Sequence, residues 1–223
     1  PSVKTVLLHV WERVWSFLKK AGTILFLCCM VMWFLATFGV ENGAFGMVED
    51  MEASFLAIIG TFLAPIFAPL GFGSWQAVAS SLSGFVAKEG IVSTMGVLAN
   101  MAEATETDAA LWQYVMTDFF HGSALAGFTF LTFNLLDSPC LAAISTMAKE
   151  MGNKGWTAFA VIFQNVFAYA VCLMIYQLGS FAMGGGFGIG TAAAVIVLAV
   201  TLYLLFRPAP KADKKTGAVA ARI

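Results

Sequence analysis

Residues 118–150 contain an apolar run long enough to enter a bilayer, and it is interrupted near its middle by Asp137-Ser138-Pro139-Cys140. Proline disfavours helical backbone in the residue before it, so a helix arriving from the N-terminal side is expected to stop near Leu136. Pro139 suits the first turn of a second helix, with Ser138 or Asp137 as its cap. Cys140 then stands beside free backbone N–H groups at the positive end of that helix, where a thiol shifts toward thiolate, the form that binds metals. Helices broken within a membrane are tolerated where they line a cavity, and transporters use such breaks as binding sites. A proline kink in a packed helix, with Cys140 as a small apolar filler, accounts for the same residues equally well.

The rest of the chain fits a membrane setting. Of 223 residues, 60% are hydrophobic and 11% are charged, against about one quarter charged in a soluble domain. The fold class expected is all-α: a polytopic helical membrane protein of about six spans with a broken helix at 137–140. The four cysteines, Cys28, Cys29, Cys140 and Cys172, lie in apolar runs without a C-x-x-C pair, so neither a disulfide framework nor a zinc site is indicated. No cleavable signal peptide is visible, and a chain that begins at Pro1 is expected to be a fragment or a processed piece.

In order, residues 1–20 read as an amphipathic interfacial helix with Val3, Val6, Leu7, Val10 and Val14 on one face and Trp11 and Trp15 as interface anchors. A polar run-in to the first span is the alternative. Spans are expected at 21–39, 55–71 (kinked or re-entrant, with Pro65 and Pro69), 75–99, 112–148, 156–178 and 189–206. Residues 40–54 and 100–111 are acidic, carrying Glu41, Glu49, Asp50, Glu52, Glu103, Glu106 and Asp108. Residues 207–223 form a basic tail expected to be disordered and cytoplasmic, able to meet anionic lipid. Six crossings place Lys19, Lys20, Lys149, Lys154 and Arg207 on the cytoplasmic side, as the bias of Lys and Arg toward that side requires. Two stretches look alike, Ile91-Val92-Ser93-Thr94-Met95 and Ala143-Ile144-Ser145-Thr146-Met147. The Ala-Lys-Glu triplets beside them come in swapped order, so no repeat is assigned.

Ionisable residues inside a span are costly and are functional candidates. Lys88 and Glu89 are adjacent, so on a helix they point about 100° apart and need not pair with each other; they either line a pathway or join ion pairs with other spans. Asp118 and His121, three apart, are read as sharing a helix face, where carboxylate and imidazole suit a divalent transition metal; an interfacial Asp–His hydrogen bond is the alternative. Asn134 and Asp137 stand just before the break, able to offer oxygen ligands or to cap freed backbone. No G-x-x-x-x-G-K-[ST], H-E-x-x-H or G-x-S-x-G is present, so the chain shows no catalytic or nucleotide-hydrolysing machinery of its own.

Phe133-Asn134-Leu135-Leu136-Asp137-Ser138-Pro139-Cys140-Leu141-Ala142-Ala143-Ile144, followed by Lys149-Glu150, resembles the second Gate segment of FeoB-type ferrous iron transporters. Phe17-Leu18-Lys19-Lys20-Ala21-Gly22-Thr23, Ala64-Pro65-Ile66-Phe67-Ala68-Pro69-Leu70-Gly71 and Gly84-Phe85-Val86-Ala87-Lys88-Glu89 agree as well, in the family's order. The resemblance implies that residues 21–206 are the C-terminal half of the membrane domain of a bacterial inner-membrane Fe(II) importer. It implies as partners an N-terminal GTP-binding domain and a first Gate half, both outside these residues, together with small cytoplasmic Feo accessory proteins, membrane lipid and further copies in a homo-oligomer. No nucleic acid and no permanently bound cofactor are expected; Fe(II) is the transported substrate. By carry-over Cys140 handles the metal, and Lys88 and Glu89 form the Ala-Lys-Glu motif. Asp137, Glu89, Asp118 and His121 complete the expected metal-contacting set, with Asn134, Ser138, Pro139 and Lys88 in gating or structural roles. A Gate-type transporter of a nucleoside or another divalent metal, and a scaffold that moves no solute, are the rival readings.

Overall fold

The computed structural model describes residues 3–41, 44–48, 51–88, 90–99 and 107–207. Glu89, parts of both acidic loops and the tail from 208 onward lie outside the described residues, as do the expectations attached to them. The architecture is all-α, as composition and span pattern require: α1 (Val3–Thr37), α2 (Phe55–Phe67), α3 (Trp75–Val86), α4 (Gly90–Leu98), α5 (Ala109–Tyr114), α6 (Ala124–Leu136), α7 (Leu141–Met151), α8 (Lys154–Ala182) and α9 (Ile189–Phe206). The interfacial stretch and the first span form one helix: α1 runs 35 residues without a break, about 50 Å at 1.5 Å per residue and longer than a bilayer core. At its outer part Trp11 and Trp15 stack at 6.2 Å, and the Lys19 ammonium lies 5.4 Å from the Trp15 ring centre.

The segment after α1, expected as an acidic loop, holds an antiparallel hairpin. Strands β1 (Phe38–Glu41) and β2 (Ala44–Met47) pair Phe38 with Met47 and Val40 with Phe45. The sequence between them, Asn42-Gly43, is a strong hairpin signal.

Among the described residues three helical stretches are long and apolar enough to cross a membrane: 124–151 counted across its break, 154–182 and 189–206. A fourth exists if Phe55–Leu70 and Trp75–Val86, bent by 98° at their junction, count as one. These two are short because each ends early. α2 has 13 residues, about 20 Å; it contains Pro65 and tightens into a 3-10 turn, Ala68–Leu70, that stops at Gly71 in the left-handed region. The expected span 75–99 is likewise two helices, with Ala87 and Lys88 in the gap between α3 and α4.

The bent pair is held from α8. Tyr169 Oη donates to the carbonyl of Ile66 at 2.8 Å, and Gln177 Nε2 donates to the carbonyl of Pro69 at 2.7 Å. Both acceptors belong to the disrupted end of α2, where backbone groups lose intrahelical partners and must be satisfied from neighbouring helices. Below the bend, Phe67, Phe72, Phe120, Phe130 and Phe133 form an aromatic cluster with edge-on contacts such as Phe72–Phe130 at 5.4 Å. Cys172 on α8 is fully buried in that core. It is a packing residue whose thiol reaches the Thr129 carbonyl at 3.6 Å.

Gly71 and Gly122 both have positive φ, 91° and 74°, a conformation that costs other residues about 1–2 kcal/mol. A Cβ at Gly71 would also collide with the Tyr176 ring, whereas nothing lies within 4 Å of one at Gly122. Gly71→Ala is therefore expected to lower the melting temperature in detergent clearly more than Gly122→Ala does. Equal losses would mean that the Tyr176 ring yields freely and does not fix the bend.

Candidate functional site

The break read from the sequence is present, and a second break faces it. α6 ends at Leu136, and the Asp137 N–H closes it on the Phe133 carbonyl at 2.8 Å. Residues 137–140 are non-helical, and α7 begins at Leu141. Across from it, α3 ends at Val86 and Ala87 turns extended (ψ 119°). A short turn closed by Gly90 N–H on the Ala87 carbonyl, 2.8 Å, leads into α4. Lys88 stands in that turn, so the helical geometry that would set Lys88 and Glu89 about 100° apart does not apply to it. Its ammonium forms an ion pair with the Asp137 carboxylate and donates to the Asn134 carbonyl at 2.6 Å. Lys88 of one break thus docks on Asp137 of the other, 49 residues away in sequence.

Burial of the pair is one-sided. The Asp137 side chain is 1% exposed and that of Lys88 is 35% exposed. A buried carboxylate without a countercharge is costly by several kcal/mol, and Lys88 supplies that countercharge.

The second helix starts differently from the expectation. Its N-cap is Cys140, whose side chain makes no capping bond, and Pro139 precedes the cap. Asp137 and Ser138 do not cap α7 because each has a tertiary partner: Asp137 is committed to Lys88, and the buried Ser138 hydroxyl accepts from Asn165 Nδ2 of α8 at 3.0 Å. Asn165 also donates to Val161 O at 2.8 Å on its own helix. Cys140 is half-buried at the positive end of α7, as expected from Pro139.

Asn134 sits one turn before the break and is 7% exposed. Its Nδ2 donates to Ser81 Oγ on α3 at 3.2 Å and to Phe130 O at 2.8 Å, while its Oδ1 has no hydrogen-bond partner among the described residues. The break and the turn before it carry a carboxylate, a backbone carbonyl, an amide oxygen, a hydroxyl and a thiol. Such a mixture of oxygen and sulfur groups suits a divalent transition metal in passage.

Asp118 and His121 are not part of this site. The chain around Asp118 is a π-helical turn, Val115–Phe119, and His121 follows outside it with φ 50°. The two therefore do not share a helix face, because the three-residue spacing presupposes an α-helix that is absent there. Both are exposed, and Asp118 accepts from Thr117 Oγ1 at 2.8 Å. They precede α6, whose 13 residues, about 20 Å, separate them from the break. Among the described residues no three of His, Cys, Asp and Glu come together as a metal-holding group. Ser81 and Asn165 belong to the junction although no local sequence motif marks them. Asn165 is one of three amides in the expected fifth span, with Gln164 and Gln177, and a polar group in such a span is the available signal.

If Asn165 fastens the break to α8 through Ser138, the two should be energetically coupled. A double-mutant cycle of Asn165→Ala and Ser138→Ala is expected to give about 0.5–1.5 kcal/mol of coupling in reversible unfolding in detergent. Additive losses would show that the bond does not hold the break in place.

The family model described as Gate, nucleoside recognition, matches residues 18–154, which include both breaks. The chain is 36% identical over 179 residues to the Fe(2+) transporter FeoB of Staphylococcus aureus strain MSSA476, an alignment covering 80% of this chain and 25% of that protein. It is 31% identical over 184 residues to the Fe(2+) transporter FeoB of Methanocaldococcus jannaschii, covering 81% and 26%. To that of Salmonella typhi it is 26% identical over 255 aligned positions, covering 94% and 32%. The chain thus spans about a quarter to a third of the length of these relatives. No solved structure matches it. The chain belongs to the Gate family, and its membrane region is of the FeoB type.

Proposed function

We propose that this region forms the metal path of a ferrous iron importer in a bacterial inner membrane. The observation that carries the reading is the facing of two helix breaks inside a membrane domain, with the Asp137 carboxylate and the Asn134 carbonyl at their junction and Cys140 at the start of α7. Broken helices with freed backbone groups and convergent polar side chains are how transporters build substrate sites at mid-membrane. A carboxylate attracts a cation, and a thiolate adds preference for softer transition metals over calcium or magnesium. Similarity to proteins named Fe(2+) transporter makes ferrous iron the cation to test first. Cys140 would contact the ion transiently. Lys88, Asn134, Ser138 and Pro139 would shape the break.

In the same reading, gating comes from a GTP-binding domain in the remaining part of the transporter, and a first Gate half completes the path. Homo-oligomers and small cytoplasmic Feo proteins are the further partners to test. Lys149, Lys154 and Arg207 would face the cytoplasm, as the distribution of basic residues requires.

The test is uptake of Fe(II) and of uridine in cells that depend on the complete transporter containing this region, with wild type and Cys140→Ser at matched expression. Iron uptake is expected in the wild type, with no uridine uptake. Cys140→Ser is expected to lower iron uptake by about tenfold or more, the scale on which groups around a metal act, while GTP hydrolysis persists. Uridine uptake without iron uptake would replace the metal by a nucleoside as substrate. Unimpaired iron uptake in Cys140→Ser would remove the thiol from the path.

A further inference from the structure

Lys88 and Asp137 differ in a way that a purely structural ion pair does not need. The carboxylate is almost completely buried and sits on the short linker between α6 and α7, which Asn165 ties to α8. The ammonium arrives on a flexible four-carbon stem from a non-helical turn, and a third of its side chain is exposed. Its two acceptors, a carboxylate oxygen and the backbone carbonyl of Asn134, are also the oxygen types that bind hard and borderline cations. The same residue carries a further oxygen: Asn134 Oδ1, nine-tenths buried with its residue, has no hydrogen-bond partner among the described residues and lies against Gly84 of α3, four residues before Lys88. Burying an amide oxygen without a partner is unfavourable, and a cation at the Asn134–Asp137 oxygens would supply one.

We infer that the Lys88 ammonium is a tethered stand-in for the transported cation, which compensates Asp137 when the path is empty and is displaced when a divalent metal ion takes the Asp137 and Asn134 oxygens. Asp137 is then never left without a countercharge: either the lysine or the metal ion is in place. Because the lysine competes with the metal, apparent affinity is lowered by the fraction of time the lysine occupies the site, which favours release. Lys88 on this view is a positioning and competing group, and its removal strengthens binding. The inference rests on the transport reading above, but its test is separate from uptake.

The complete transporter in nanodiscs is titrated anaerobically with Co(II), for wild type, Lys88→Met and Lys88→Met/Asp137→Asn. Lys88→Met is expected to bind Co(II) about tenfold tighter than wild type, and the double variant is expected to lose that gain. In parallel, acylation of Lys88 in the wild type by an amine reagent, followed by mass spectrometry, is expected to accelerate several-fold on saturation with Co(II), with exposed Lys149 unchanged. Unchanged or weaker Co(II) binding by a cooperatively melting Lys88→Met protein overturns the inference. If Lys88→Met does not fold, the wild-type labelling decides alone: a Lys88 no more reactive with Co(II) than without it overturns the inference. Iron uptake by the wild type combined with either negative result discards the displacement and keeps the transport reading. Lys88 release by Co(II) without iron uptake keeps the displacement and assigns the path to another metal.

Discussion

A buried carboxylate in a membrane domain needs a positive partner, and nearly everything around Asp137 follows from where that partner comes from. Lys88 reaches it only because α3 stops at Val86 and the chain turns before α4 begins. Asp137 in turn is available only because α6 stops at Leu136. Two interruptions that would each expose backbone polar groups to an apolar medium are brought together, and each supplies what the other lacks. The ammonium takes up both the Asp137 carboxylate and the Asn134 carbonyl, while the Ser81–Asn134 bond ties α3 to α6 just before the breaks.

α8 holds this arrangement from the outside. Asn165 meets Ser138 in one break, Tyr169 meets Ile66, and Gln177 meets Pro69 at the end of α2. The three residues follow at intervals of four and eight along a mostly apolar helix, so they lie toward one side of it. The opposite character of α8, with Phe159, Phe163 and Phe167 stacked and exposed, suits contact with lipid. One helix thus divides into a polar edge that fastens irregular segments and an aromatic edge that faces the bilayer.

Much of this was legible in the sequence. The apolar spans gave the all-α class, and Pro139 with its polar neighbours placed the end of α6 at the correct residue. The limits have physical causes. The gap at Ala87 and Lys88 has no proline; Gly90 alone is a weak breaker, and the turn is stabilised by a partner 49 residues away. Asp137 and Ser138 were plausible caps on local grounds, but tertiary partners claimed both. The helix face expected to carry both Asp118 and His121 is absent because residue spacing reads as a shared face only on a regular α-helix, and a π turn followed by a left-handed residue breaks that rule. Local pattern fixes where helices start and stop more securely than it fixes which ends meet.

Lys88 and Asp137 carry one positive and one negative charge, so as a pair they are neutral. A transmembrane voltage does work of about 2.3 kcal/mol per elementary charge per 100 mV on net charge that moves through the field. It therefore has little hold on the paired junction when lysine and aspartate move together. Any event that leaves a net charge at that depth, whether the lysine swings outward or a second cation enters, makes the junction electrically responsive. The ion pair is in this sense an insulator, shielding its own two charges from the potential that a living cell maintains across the membrane.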